Sequence, residues 1–157
     1  MKLLSTLAVA FGLFAFTLGA LAAPGKEKKD EKDDAKKMEG EWAIAGWEQG
    51  GGALPAEAIE GARWTVKGDK YTFEMSGNKE DGTIKLDPAK KPATIDLAIT
   101  SGNDKDKGQP GIYKFDGDTI IFCFNRPGAK DRPTEFKSTE DGDTFIVVTL
   151  KRFKKDD

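Results

Sequence analysis

Three runs of alternating apolar residues decide what this chain can fold into. Tyr71, Phe73 and Met75 share one face of an extended segment, Ile95, Leu97 and Ile99 share another, and Ile120, Phe122 and Phe124 a third. Side chains on a strand alternate between its two faces, so each run describes an antiparallel strand with one buried and one wet side. Between and flanking the runs stand Gly68-Asp69, Asp81-Gly82, Asp116-Gly117 and Asp141-Gly142. Asp-Gly suits tight turns that need positive φ, and Gly-Asp suits the type II′ turn. The pattern predicts strands near 41–49, 62–67, 70–76, 82–87, 93–100, 111–116, 119–125, 133–138 and 143–152. One short helical turn is expected over 55–60, where Pro55 opens it.

Short strands joined in sequence order form a meander, and a meander of this size loses its open edges by closing on itself. The predicted fold is all-β: an antiparallel up-and-down meander closed into a small barrel of about eight strands. A two-sheet sandwich is the structural alternative. Two longer polar links, 101–110 and 125–133, are placed at the barrel rim, where a ligand would enter.

The chain divides by composition. Lys2, the apolar run after it and the small-residue exit Ala20-Leu21-Ala22 read as a cleavable export signal over 1–22, with an uncleaved anchor as the competing reading. Residues 23–37 are almost purely charged with mixed sign, which predicts a solvated, disordered tether. The barrel domain is assigned to 38–153 and a charged tail to 154–157. The expected location is therefore periplasmic or extracellular, with no transmembrane segment once the leader is removed.

Composition also narrows the chemistry. The 25 basic and 27 acidic residues are dispersed, which leaves no electrostatic footprint for nucleic acid. There is no histidine, the commonest general base and metal ligand. Gly50-Gly51-Gly52 lacks the lysine and hydroxyl of a phosphate-binding loop and reads as a flexible turn. The acidic stretch 103–108 fails the EF-hand pattern, because Lys105 and Lys114 fall where ligands belong. Asp96 and Glu135 are the carboxylates from which a hydrolytic pair could be assembled, yet no spacing singles them out. No catalytic residue, metal or cofactor is assigned, and the chain is read as a non-enzyme. Cys123, the sole cysteine, rules out an internal disulfide; lying in an apolar strand, it reads as a packed, inert thiol.

Gly40-Glu41-Trp42 opens the first strand and Arg152 sits in the last. In a closed meander these strands are neighbours, so the arginine covers the tryptophan face and Met38 plugs the barrel end. Gly40-x-Trp42 with a late arginine resembles the lipocalin and calycin pattern, which implies an eight-stranded barrel holding a small apolar ligand. The domain from Met38 to Arg152 also resembles a family of small exported proteins abundant in planctomycete bacteria. Residues carrying that second likeness include Leu86-Asp87-Pro88, Gly111-Ile112-Tyr113, Gly117-Asp118-Thr119 and Arg132-Pro133-Thr134-Glu135-Phe136. It implies no activity and carries over no functional residue.

Two functions follow as expectations. The first is a binding module for a small apolar or amphiphilic ligand, lined by Trp64, Phe73, Tyr113, Phe115 and Phe122. Arg132 stands at its rim, held extended by Pro133, and either receives a carboxylate or pairs with Asp96 or Glu135. The second is an envelope structural or protein-interaction domain with a filled interior. There Trp47, out of register with Trp42, faces outward and marks the partner surface.

Overall fold

The alternating runs become strands of one antiparallel sheet whose neighbours follow chain order. The structure is a computed structural model describing residues 24–140 and 144–154, with side chains from residue 30 onward. The expected leader and the Asp141-Gly142 turn lie outside the described residues. The elements are α1 (Pro24–Met38), β1 (Gly40–Gln49), β2 (Gly52–Ala53), α2 (Ala56–Ile59) and β3 (Arg63–Lys67). They continue as β4 (Lys70–Met75), β5 (Asn78–Asp87), β6 (Ala93–Ser101), β7 (Gly108–Asp116), β8 (Thr119–Asn125) and β9 (Phe145–Arg152). β9 pairs back onto β1, so β1 and β3–β9 close an eight-stranded barrel and β2 adds a short extra strand on β1. The predicted fold class is the observed one.

The two ends of the barrel differ. At the end where β1 starts and β9 finishes, Met38, Ile95, Tyr113, Ile120 and Leu150 are each at most 1 % exposed and fill the interior. Arg152 lies opposite Trp42 across the β1–β9 pair, its guanidinium 3.9 Å from the indole ring centroid. Trp42 Nε1 donates to the Met38 carbonyl at 2.8 Å, and Arg152 donates to the carbonyls of Lys37 and Glu39. The arginine thus serves the Lys37 carbonyl in the last turn of α1, which has no partner within the helix, and the Glu39 carbonyl just past it. Gly40 makes this possible. Its φ is +115°, and a Cβ there would stand 2.5 Å from Arg152 Nη1.

Four local expectations are corrected. The charged segment expected as a disordered tether is helical over Pro24–Met38. Its last turns dock on the barrel: Asp34 accepts the Tyr113 hydroxyl at 2.8 Å, Ala35 packs against the core and Met38 is inserted into it. Tertiary contact at three positions on one side overrides the polar composition. Asp81-Gly82 is not a turn. β4 and β5 join through Ser76-Gly77, both with positive φ, and Asp81/Gly82 instead marks a register shift against β6. The strand expected at 133–138 is absent, because β8 already pairs with β7 and β9 and offers no free edge. The segment after Asn125 instead lies over the outer face, where Phe136 packs on Ile112, Cys123 and Val147. Finally, Gly52 belongs to β2, folded back on β1 through Gly50-Gly51.

Candidate functional site

The open end of the barrel is built by a bulge. Along β9 the partners run Ile44↔Leu150 and then Gly46↔Thr149, so Ala45 is an extra residue in β1. An extra residue reverses the alternation beyond it. Trp47 therefore lies opposite the inward Val148, and it packs against the core instead of facing outward as its spacing from Trp42 predicts. Its ring stacks on Phe73 with centroids 6.1 Å apart, and its Nε1 donates to Gln49 Oε1.

Next to it lies a pocket of about 190 Å³. Trp47, Trp64, Phe73, Phe122 and Phe124 supply five rings to its wall, Ile146 and Val148 complete the apolar surface, and Pro127 reaches in from the loop after β8. Trp64 is the hub: it stacks on Tyr71 at 4.6 Å and meets Phe73 at 5.8 Å and Phe122 at 5.6 Å. Phe124 lies over Gly111, where any Cβ would collide with its ring, so glycine there sets the position of this wall. Among the described residues, Trp64 Nε1 is the buried side-chain polar atom without a hydrogen-bond partner. Such an unmet donor costs about 1–3 kcal/mol.

Two polar side chains face the pocket, Glu80 and Gln109. Gln109 donates Nε2–H to the Asn125 carbonyl at 2.8 Å, and Glu80 Oε1 accepts the Tyr71 hydroxyl at 2.8 Å. Burial raises the Tyr71 hydroxyl far above the ordinary phenol range, and the Glu80 hydrogen bond adds to this, so it stays a donor.

The structure divides the residues read as ligand contacts. Trp64, Phe73 and Phe122 come together in the pocket. Tyr113 and Phe115 lie at the filled end beneath α1, where Lys37 Nζ stands 5.5 Å from the Phe115 ring centroid. Arg132 is on the outer face. It donates to the carbonyls of Ile95 and Gly111 at 3.0 and 2.7 Å and to Asp96 Oδ1 at 2.6 Å, which makes it an anchor for the loop it belongs to. Sequence reasoning missed Glu80 and Gln109. Counting back by twos from Leu86 and Ile84 reaches Gly82 and Glu80, so the signal was present, hidden by reading Asp81-Gly82 as a turn.

Cys123 is fully buried on the outer side of β8 under the same loop, its Sγ 3.8 Å from the Lys137 carbonyl. Burial pushes the thiol up to about 11 from 9.0, against a smaller opposing effect of the Lys137 backbone. A thiol held protonated by the fold contributes stability below its unfolded pKa and loses it as pH rises through the folded value. The urea midpoint of the wild type is therefore expected to fall more steeply between pH 9 and 11 than that of Cys123→Ala. Parallel declines in both would remove Cys123 as the cause.

No protein-family model, curated protein or solved structure matches the chain. The site rests on its own geometry. Among the described residues no cluster of three or more histidine, cysteine or acidic side chains could hold a metal ion. No described helix is long and apolar enough to cross a membrane.

Proposed function

We propose that this chain is an exported, non-catalytic, lipocalin-like binding module that takes a small apolar or amphiphilic molecule into the open end of its barrel. One observation carries the reading: side chains fill one end almost completely, while the other keeps a five-ring pocket of about 190 Å³. An apolar cavity of about 150 Å³ accommodates benzene, and pockets for drug-sized ligands start near 300 Å³. The fitting ligand is thus one ring or a short branched chain, not a sterol or a long acyl chain. The unpaired Trp64 N–H supports the same reading, since a purely structural core gains by satisfying every buried donor.

The reading as a structural or partner-binding domain draws on the filled end. Its expected surface marker, Trp47, instead lines the pocket. Among the residues lining the pocket, Glu80 is the single carboxylate.

The test is native mass spectrometry of the protein expressed with its leader and recovered after export, compared with the same sample after denaturation and solvent extraction. A discrete extra mass below a few hundred daltons that leaves on denaturation is the expected result. A bare chain that also leaves tryptophan emission unchanged on titration with single-ring compounds would sink the carrier reading.

A further inference from the structure

The aromatic pocket contains one ionisable group, and that group has no counter-charge. Glu80 lies directly opposite Phe73 in the β4–β5 pair, in the inward register of Gly82, Ile84 and Leu86. Alternation reserves such a position for apolar side chains. Its neighbours Lys79 and Asp81 pair with each other at 3.8 Å. Among the described residues Glu80 forms no ion pair with a lysine or arginine, and no basic side chain lines the pocket.

The groups packed around Glu80 leave it uncompensated. From β4 comes the Tyr71 hydroxyl, a neutral donor to Oε1, and from β7 the neutral Gln109 amide; Asp104 of the β6–β7 loop acts at longer range and is itself paired with Lys107 at 2.8 Å. Burial raises the Glu80 carboxyl above its usual range, the Tyr71 hydrogen bond opposes this, and Asp104 adds to the rise. The fold therefore works against the ionised form when the pocket is empty, and an arriving positive charge reverses that balance. The aromatic wall adds to the attraction, because the π surface of an aromatic ring is negative.

We propose that the pocket selects small organic ammonium ions, carrying one ring or a short chain, over their neutral isosteres. The ammonium sits against the Trp47, Trp64 and Phe73 rings with Glu80 as its counter-ion. This inference rests on the binding-module reading above.

The test pairs benzylamine, a cation at pH 7, with benzyl alcohol, its neutral counterpart of similar size, titrated by calorimetry into the full chain at low salt. Benzylammonium is expected to bind at least about tenfold more tightly, the combined effect of cation–π attraction and a partly buried ion pair. In Glu80→Gln the two compounds converge to within about threefold. In Trp47→Leu the amine loses more affinity than the alcohol. The ligand-free Glu80→Gln protein is expected to melt at or above the wild-type temperature at pH 7, because it lacks a carboxylate whose ionisation the fold opposes. A group present only for structure would lower it. Acidification through the raised Glu80 range should erase the preference for the amine. Equal affinity for both compounds, or a preference that survives Glu80→Gln, overturns the ammonium inference and leaves the binding module standing. Failure of both compounds to bind overturns the two readings together.

Discussion

Trp42→Ala is expected to lower the unfolding free energy by about 3–5 kcal/mol, the range for deleting a large buried aromatic side chain. Trp42 is 2 % exposed and joins three parts of the closed end. Its ring lies beneath Arg152, its N–H reaches the Met38 carbonyl, and its backbone pairs with both β3 and β9. The substitution leaves a void beside Met38 and takes away the flat surface that holds the arginine at the end of α1. Trp42→Phe separates these contributions. It keeps a ring under the guanidinium and loses the N–H, so about 1–3 kcal/mol is expected from the smaller volume and the unpaired carbonyl. Urea unfolding followed by far-ultraviolet circular dichroism gives both values. A loss below 1 kcal/mol in Trp42→Ala would show that the closed end does not depend on this side chain.

The second large effect concerns the loop after β8. Arg132 makes two bonds to barrel carbonyls and one to Asp96, and Pro133 beside it is fully buried. The Arg132–Asp96 pair is partly exposed, with side-chain exposures of 32 % and 49 %, so its charge attraction alone is worth less than 1 kcal/mol. The carbonyl bonds add more, because water must replace them when the arginine is removed. Arg132→Ala is expected to lower the free energy of local opening by about 2 kcal/mol. Since this loop covers Cys123, a thiol reagent should modify the variant about 30-fold faster than the wild type under native conditions. Arg132→Lys recovers one bond at most and should fall between the two. Unchanged reactivity would mean that apolar contacts at Phe136 and Pro133 hold the loop without the arginine.

These two effects bear on how far the chain can be read without its fold. Arg132-Pro133 by itself allows either a rim group for a ligand carboxylate or a partner of Asp96 or Glu135. Only the position of the loop, outside the barrel and away from the pocket, separates the alternatives. Trp47 illustrates the same limit more sharply. Its spacing from Trp42 puts it on the outer face, and nothing in Ala45-Gly46 announces that one residue drops out of the ladder. The bulge exists only relative to β9, about a hundred residues further along the chain, so local periodicity cannot reveal it. Glu80 lies between these cases: the period-two count reached it, but a turn signal of ordinary strength interrupted the count.

By itself the sequence determined the all-β class, most strand positions, the meander order and the absence of histidine chemistry. Those features are local. They follow from alternation over a few residues, from turns built on adjacent residues and from composition. The tertiary structure alone decided which end of the barrel is filled, which way Trp47 turns, that Arg132 is an anchor on the outer face, and that a charged segment becomes a helix docked by Asp34, Ala35 and Met38. Each of these depends on a contact between residues distant in the chain, and such contacts are fixed by closure of the barrel.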